Sequence, residues 1–242
     1  MDHTTISNHQ TIGLYFEDNA QIGTFSSNTF SNCETGLNLP SKLLGKIDGA
    51  SNYSTNCTND YIDARASTIS VNTTWQKTTT PILLHGSTID AGLTISAGVT
   101  IMMEANNGFL VNSSGYFTCV GTASEPITIK GRYASAGYWD GISIKSNNPN
   151  NKIKYANISD GGAYWYYDYS GISIYNGRLD LDNSSVNNSN SYGVYVANTS
   201  QLYTGGTVQT TLAGVESTNS FSTNGTGANA NCTNGCKVYF QP

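Results

Sequence analysis

Two stretches of this 242-residue chain, TISNHQTIGL at residues 5–14 and TFSNCETGL at residues 29–37, are copies of one unit. Asn8 in the first copy matches Asn32 in the second, 24 positions later, and a weaker third copy places Asn56 another 24 positions on. A fixed repeat of roughly 20 to 50 residues is typical of solenoids, in which each repeat stacks on the previous one. The repeat therefore indicates a stacked coil.

Each repeat consists of a short strand pattern, a polar turn, a glycine and a second short strand pattern. The same arrangement returns as ANISDG at 156–161 before GISI at 171–174, and as NSSVNN at 183–188 before GVYV at 193–196. Alternating apolar residues bounded by Gly, Asn and Ser predict short β-strands. A sandwich or an antiparallel barrel would have longer strands and two-residue hairpin turns. The pattern therefore favours a parallel β-helix.

The predicted fold class is all-β, a single-stranded parallel β-helix, or solenoid, of about 9 or 10 turns. Because adjacent strands in a sheet lie ~4.8 Å apart, the coil would form a rod roughly 40 to 50 Å long. Residues 1–242 form one domain in this prediction. Residues 58–90 are less regular and are expected to hold an excursion, and residues 205–242 are expected to form a C-terminal cap.

The clearest family resemblance lies within residues 75–144. This region contains PILL at 81–84, LTISAGVTI at 93–101, GTASEPITI at 121–129 and YWDGI at 138–142. It resembles the right-handed parallel β-helix segments of large bacterial surface and secreted proteins, which share the pectate-lyase-like fold. The resemblance implies a right-handed coil located outside the cell or on the bacterial outer surface. It does not imply one activity, because that fold hosts lyases, hydrolases, adhesins and phage tailspikes.

The composition is polar and sparsely charged. Only 11% of the residues are charged, the net charge is −5, and Lys and Arg together number 11. No basic stripe is present to neutralise phosphates, which argues against nucleic-acid binding. No apolar run approaches the ~20 residues of a membrane helix. Stacked turns explain this composition, since equivalent side chains lie over one another and stacked charges would repel.

Stacking also leads to an expectation about the repeated asparagines. We expect Asn8, Asn32 and Asn56 to form an inward-facing ladder joined by side-chain hydrogen bonds.

Residues 1–6 have neither the basic segment nor the apolar core of a signal peptide. The composition, which is poor in Lys and Glu and rich in Asn, Thr and Tyr, nevertheless resembles that of secreted bacterial proteins. We therefore expect the chain to be part of a longer exported protein that contains further domains.

Five cysteines are too few for a disulfide framework, and an odd number leaves at least one unpaired. Cys33 and Cys57 are 24 residues apart, so they are expected on adjacent turns, either as a disulfide or as two thiols in contact. Cys232 and Cys236 flank three residues, and a small loop closed by a disulfide is predicted there. Cys119 alternates with Phe117 and is interpreted as a small buried apolar residue.

Three carboxylates form the first candidate site. In the alternating stretch 179–182, Asp180 and Asp182 would face outward, ~7 Å apart, if the two leucines face the core. Asp160 precedes Asp182 by 22 residues, about one turn. A cluster of the three would bind Ca²⁺ through oxygen ligands or act as the acid and base of a polysaccharide-cleaving enzyme. The alternative is a set of solvated turn aspartates. No other cofactor is expected.

The motifs of pectin-cleaving members of the fold are absent from the chain. Its arginines are Arg65, Arg132 and Arg178, and none lies in an Arg-x-Pro-x-x-Arg setting. His85 and Gly86 are at best a fragment of the Gly-His-Gly motif of pectin hydrolases. General-base catalysis by histidine is therefore not expected. These observations favour a non-enzymatic module but leave an enzyme as an open alternative.

Aromatic residues form the second candidate site. One dense run lies between Gly162 and Gly171, and a sparser one lies between Gly131 and Gly141, one turn earlier. Both loops are expected to project from the same side of the rod. Flat amphipathic rings stack on sugars or anchor protein interfaces, whereas the alternative is that the loops only cover the coil. The predicted ligand-binding residues are Tyr133, Tyr138, Trp139, Tyr164, Trp165, Tyr166, Tyr167 and Tyr169.

Together, these patterns predict an extracellular, adhesin-like or glycan-binding β-helix module without enzymatic activity. Its partner would be a cell-surface or extracellular glycan, or a protein surface. One alternative is a polysaccharide lyase or glycoside hydrolase that uses the surface carboxylates. Another is a structural stalk that positions other domains and binds no ligand.

Overall fold

A computed structural model describes residues 1–164, 168–228, 230, 232 and 234–242. Within these ranges the chain forms 26 short strands in four sheets, and one strand pair is antiparallel while the others are parallel. The chain is an all-β parallel solenoid, as the repeat predicts. The described residues include no helix long and apolar enough to cross a membrane.

The coil begins with a short sheet, the N-terminal sheet, and continues into a long one, sheet 1. The N-terminal sheet contains β1 (Thr5–Ser7), β3 (Thr29–Ser31) and β5 (Asn52–Thr55). Sheet 1 contains, in spatial order, β2 (Ile12–Tyr15), β4 (Thr35–Pro40), β6 (Ile62–Arg65), β9 (Ile82–Leu84), β12 (Thr100–Met103), β15 (Ile127–Gly131), β18 (Ala156–Ser159), β21 (Ser185–Asn187) and β25 (Ser220–Ser222). These nine strands mark nine turns of the coil, within the predicted number.

Two further sheets complete each turn from the third one onward. Sheet 2 contains β7 (Ser67–Ile69), β10 (Ser87–Ile89), β13 (Gly108–Val111), β16 (Gly141–Ile144), β19 (Ile172–Ile174), β22 (Val194–Val196) and β26 (Val238–Phe240). Sheet 3 contains β8 (Thr73–Trp75), β11 (Gly92–Ile95), β14 (Tyr116–Val120), β17 (Lys152–Lys154), β20 (Arg178–Asp182), β23 (Gln201–Thr204) and β24 (Thr207–Gln209). The chain runs from sheet 1 to sheet 2, then to sheet 3, and back to sheet 1.

Stacked columns of apolar side chains fill the interior of the coil. In sheet 1, one buried column consists of Ile62, Ile82, Ile101, Ile129, Ile158 and Val186, which pair in register on successive turns. Fully burying one side chain of this size contributes about 1.5–3 kcal/mol. The alternation along each strand therefore fixes the register of each turn on the next.

The repeated asparagines lie outside the core, so the predicted inward-facing ladder is wrong. Asn8, Asn32 and Asn56 are exposed, with φ angles of 62°, 52° and 53°. The Asn32 side-chain amide donates a hydrogen bond to Asn8 Oδ1 at 3.3 Å on the surface. Asparagine adopts this left-handed backbone conformation more readily than most residues. The asparagine repeat thus reflects a repeated turn conformation.

The irregular parts of the coil differ from those expected. Residues 58–90 contain five strands, β6 to β10, whose pairing is in register, so no excursion occurs there. Long connections between strands lie instead at 16–28, 132–140, 160–171 and 223–237, and the last three join sheet 1 to sheet 2.

Near the C-terminus the chain departs from the simple coil. Strand β24 folds back antiparallel on β23, and the helix α1 (Leu212–Glu216) packs against both strands. Two 3₁₀ turns, Ser41–Lys46 and Asn234–Cys236, are the other helical segments among the described residues. Cys232 and Cys236 form a disulfide with their Cα atoms 5.2 Å apart, and Cys119 is buried in the core.

Candidate functional site

The outer face of sheet 2 is a shallow groove. Its centre line is a column of residues from the middle of successive strands, and the column ends in two tyrosines at the C-terminal turns. In order, the column contains Thr68, Thr88, Leu110, Ser143, Ser173, Tyr195 and Tyr239. Thr68, Thr88 and Leu110 are exposed or partly exposed, whereas Ser143 and Ser173 are buried. The groove is therefore open over the turns of β7, β10 and β13.

Two cavities lie along the edges of this column, and together with the column they make up the sheet 2 groove. The first cavity, about 370 Å³, lies toward sheet 1 and is lined by His85, Asn106, Asn107, Asp140 and residues in or next to β7, β10 and β13. The second cavity, about 640 Å³, lies toward sheet 3 and is lined by Asp90, Asn112, Ser113, Ser114, Lys145, Tyr175 and Asn176. Hydroxyl and amide side chains dominate both linings.

Charged side chains stack along the corner between sheets 1 and 2. Arg65 ends β6, while His85, Glu104 and Arg132 directly follow β9, β12 and β15. Arg132 Nη1 lies 2.8 Å from Glu104 Oε2, and His85 Nε2 lies 2.8 Å from Asp63 Oδ1. Side chains of opposite charge therefore do stack on successive turns of this coil. The low overall charge of the chain did not predict this arrangement.

Two titratable groups that line the first cavity have shifted pKa values. The hydrogen bond with Asp63 raises the pKa of His85, against the lowering effect of burial. Burial raises the pKa of Asp140, and no described residue donates a hydrogen bond to its carboxylate. A cleft carboxylate shifted by desolvation is a candidate for contact with a ligand. Sequence reasoning missed Asp140, because a single aspartate next to a tryptophan gives no spacing signal.

The first aromatic loop, residues 132–140, exposes the ring of Tyr133 and partly buries the ring of Tyr138. The Tyr133 side chain is 61% exposed, and the Tyr138 ring meets it edge-on at a centroid distance of 5.6 Å. The Tyr138 hydroxyl donates a hydrogen bond to Glu104 Oε1 at 2.7 Å. This bond orients Tyr138 and ties the loop to the charged corner.

Trp139 does not contact solvent, so the prediction that it contacts a ligand does not hold. Its side chain is 0% exposed, and Nε1 donates a hydrogen bond to the Ser159 carbonyl oxygen at 2.7 Å. Trp139 also forms a parallel bridge with Gly161 on the next turn. A Cβ at position 161 would lie 3.1 Å from Gly171 Cα and 3.4 Å from the indole, so the backbone of Gly161 packs closely against both.

The second aromatic loop lies at the same corner, one turn further along. Tyr164 is 41% exposed and Tyr169 is partly buried, and the Tyr169 amide donates to the Tyr164 carbonyl oxygen at 3.3 Å. Asp168 accepts a hydrogen bond from the Tyr175 hydroxyl, which links the loop to the end of β19. The other predicted ligand-binding residues of this loop, Trp165, Tyr166 and Tyr167, lie outside the described residues.

Tyrosine rings stack over the last turns of sheet 2. Tyr175 stacks on Tyr195 at 5.6 Å between centroids, and Tyr239 stacks on Tyr195 at 5.4 Å and on Tyr192 at 5.0 Å. Tyr192 and Tyr195 are buried. These rings close the groove at its C-terminal end and form a small second core outside the coil.

The three predicted carboxylates do not form a cluster. Asp160 follows β18 at the corner between sheets 1 and 2, whereas Asp180 and Asp182 lie in β20 of sheet 3. The residue in register with Asp182 is Lys154, 28 positions earlier, because the long loop lengthens this turn. Asp180 pairs with Lys154 at 2.8 Å. The described residues include no group of three or more His, Cys, Asp or Glu side chains placed to hold a metal ion.

The fold and the sheet 2 groove define the class of this protein as a parallel β-solenoid with a shallow groove on one outer face. No protein-family model matches the chain, and the comparisons with curated proteins and with solved structures find no match. The role of the groove is therefore inferred from its own residues.

Proposed function

We propose that this chain is a non-enzymatic glycan-binding module of an exported bacterial protein, and that a glycan lies along the sheet 2 groove. In this proposal the coil is right-handed and pectate-lyase-like, and the module acts outside the cell or on the outer surface. The observation that carries the proposal is the groove over the turns of β7, β10 and β13, whose lining is rich in hydroxyl and amide side chains and includes the carboxylate of Asp140. Tyr133 and Tyr164 are exposed in the two loops at the corner between sheets 1 and 2.

The chemistry of the groove suits a carbohydrate. Sugars offer many hydroxyl groups, which donate to and accept from side chains such as Thr68, Thr88 and Asn107. Their flatter faces are apolar and stack on rings such as Tyr133 and Tyr164. A groove on a rigid sheet also requires little rearrangement on binding, which lowers the entropic cost of association.

Replacing the exposed tyrosines should weaken glycan binding without unfolding the protein. We expect the double variant Tyr133→Ala with Tyr164→Ala to bind at least about 10-fold more weakly, since truncating an interface anchor costs roughly 1–2 kcal/mol. Binding is measured on an array of bacterial and plant polysaccharides and then by calorimetry on the best ligand. The melting temperature is measured in parallel.

The matched control for this experiment is Tyr155→Ala. Tyr155 is 36% exposed but lies between β17 and β18, at the corner between sheets 3 and 1. Its replacement should leave affinity unchanged. Equal losses in the control and the double variant, or a loss of affinity that follows a loss of folding, would contradict the proposed role of the two tyrosines. Binding to no polysaccharide would favour a structural stalk.

We expect the ionised Asp140 carboxylate to lower the stability of the folded chain and to strengthen glycan binding. Because burial raises its pKa, the ionised carboxylate is less favourable in the folded chain than in the unfolded chain. This cost exists above the ordinary carboxyl pKa and disappears at lower pH, where both states are protonated. We expect Asp140→Asn to melt at a higher temperature than the parent near pH 7, with the difference shrinking toward pH 3.

The same variant should bind the glycan about 10-fold or more weakly, since a hydrogen bond to a charged group contributes roughly 1.5–3 kcal/mol. The control is Glu125→Gln, because Glu125 lies between β14 and β15 at the corner between sheets 3 and 1, away from the groove, and pairs there with Lys77 at 2.7 Å. A stability gain with unchanged affinity would place the ligand away from the first cavity.

One observation favours an enzymatic alternative. A carboxyl group of raised pKa that lines a cavity together with His85 resembles the general acid that glycoside cleavage requires. Incubation of the same polysaccharides with the protein, followed by assays for reducing ends and for unsaturated products, separates the two functions. Cleavage that is lost in Asp140→Asn would establish the enzyme and overturn the non-enzymatic proposal.

A further inference from the structure

Cys33 and Cys57 lie side by side on adjacent turns of the coil. Their Sγ atoms are 2.7 Å apart. The flanking pairs Ser31 with Thr55 and Thr35 with Asn59 are in register, so the two cysteine backbones are aligned as well. Neighbouring strands are ~4.8 Å apart, within the Cα separation of roughly 4.4–6.8 Å that a disulfide spans.

The two thiols differ in their access to solvent. Cys33 is only 6% exposed, whereas Cys57 is partly exposed. Burial and the neighbouring Cys57 raise the pKa of Cys33 to about 12, so Cys33 is the poorer first nucleophile. An oxidant from solvent therefore meets Cys57 first, and the buried Cys33 is already in place to complete the reaction.

We propose that Cys33 and Cys57 are a modification site at which a disulfide joins the second and third turns of the coil. With glutathione disulfide as the oxidant, the Cys57 thiolate attacks one glutathione sulfur and releases the first glutathione. Cys33 then attacks Cys57 Sγ in the mixed disulfide and releases the second glutathione. The two cysteines lose two protons and two electrons, and glutathione disulfide is reduced to two glutathione molecules.

A second observation supports an oxidised state for this chain. Cys232 and Cys236 already form a disulfide, and disulfides persist mainly in oxidising compartments. The proposed bond would also stabilise the end of the coil where β-pairing is sparsest, since the first two turns contain two strands each, β1 to β4, and most later turns contain three. Joining residues 33 and 57 restricts the unfolded chain, which is the main source of disulfide stability.

The test uses the full chain, incubated in a glutathione redox buffer or in dithiothreitol and then alkylated without unfolding. We expect peptide mapping of the oxidised sample to give a cross-linked peptide containing Cys33 and Cys57. Cys119 serves as the internal control, because it is buried in the core and should be alkylated only after unfolding. Alkylated Cys57 in the oxidised sample, or a stable glutathione adduct at Cys57, would overturn the proposal.

Thermal unfolding provides a second measurement. We expect the oxidised parent to melt roughly 5–10 °C above the variant Cys33→Ser with Cys57→Ser under the same oxidising conditions. Because Cys232 and Cys236 are present in both proteins, their disulfide does not contribute to the difference. Cys119→Ala is the matched control and should keep the cross-linked peptide. Equal melting temperatures, with no cross-linked peptide in the parent, would overturn the proposal.

Discussion

Trp139→Ala is expected to lower the free energy of unfolding by about 3–5 kcal/mol, the usual cost of removing a fully buried tryptophan. The indole has no exposed surface and packs within the main core between the turns of β15 and β18. Its removal also leaves the Ser159 carbonyl oxygen without the donor that now lies at 2.7 Å. The measurement is denaturant unfolding followed by circular dichroism.

Two comparison variants identify the source of this loss. Trp139→Phe keeps a ring but lacks the indole N–H, so it should lose less stability than the alanine variant. Tyr133→Ala removes a largely exposed ring from the same loop and should change stability little, as surface substitutions usually do. A normally stable Trp139→Ala that has lost glycan binding would show that the indole serves the ligand and not the core.

The coil was predictable because stacking imposes its own periodicity on the sequence. A side chain such as Ile101 lies directly between Ile82 and Ile129 on neighbouring turns, so each turn selects apolar residues at the same place as the last. The short alternating strands followed from this requirement, and the match between Asn8 and Asn32 followed from the turn conformation that each turn of the coil repeats. The number of turns and their parallel pairing could therefore be expected from the order of residues alone.

Repeat spacing did not reveal which way a residue faces or how long each turn is. Asn8 recurs at 24-residue spacing because each of these turns needs a left-handed backbone conformation. In the sequence, a residue that recurs at a turn gives the same spacing as a residue that recurs in the core. Counting 22 residues back from Asp182 leads to Asp160 in a different part of the coil, because the turn from Lys154 to Asp182 has 28 residues. Insertions at corners shift such counts without changing the strands.

The candidate site was only partly predictable for a related reason. The corner with the aromatic loops followed from the positions of Gly131 and Gly162, since both loops interrupt equivalent places in the repeat. The groove beside it is built from ordinary residues such as Thr68 and Asn107, which match the composition of the whole chain. Its shape depends on the outer faces of several turns, and no local pattern encodes that shape.

Asp160→Ala is expected to lower the free energy of unfolding by about 2–4 kcal/mol, because it leaves buried donors unpaired. The buried Asp160 carboxylate accepts hydrogen bonds from Gly131 N at 3.1 Å, Ser159 Oγ at 2.7 Å and Asn188 Nδ2 at 2.8 Å. These donors lie on three successive turns, so one side chain ties the corner together. Asp160 also has a φ of 70°, a conformation that alanine adopts less readily than aspartate.

Asp160→Asn separates the loss of hydrogen bonds from the backbone effect. Asparagine tolerates the left-handed conformation and keeps one acceptor oxygen, so we expect it to retain part of the stability that alanine loses. Calcium provides the opposing test, because a carboxylate that served as a metal ligand would make the melting temperature rise with added Ca²⁺ in the parent but not in Asp160→Asn. Since the carboxylate already accepts three hydrogen bonds, we expect Ca²⁺ and a chelator to leave the difference between the two proteins unchanged.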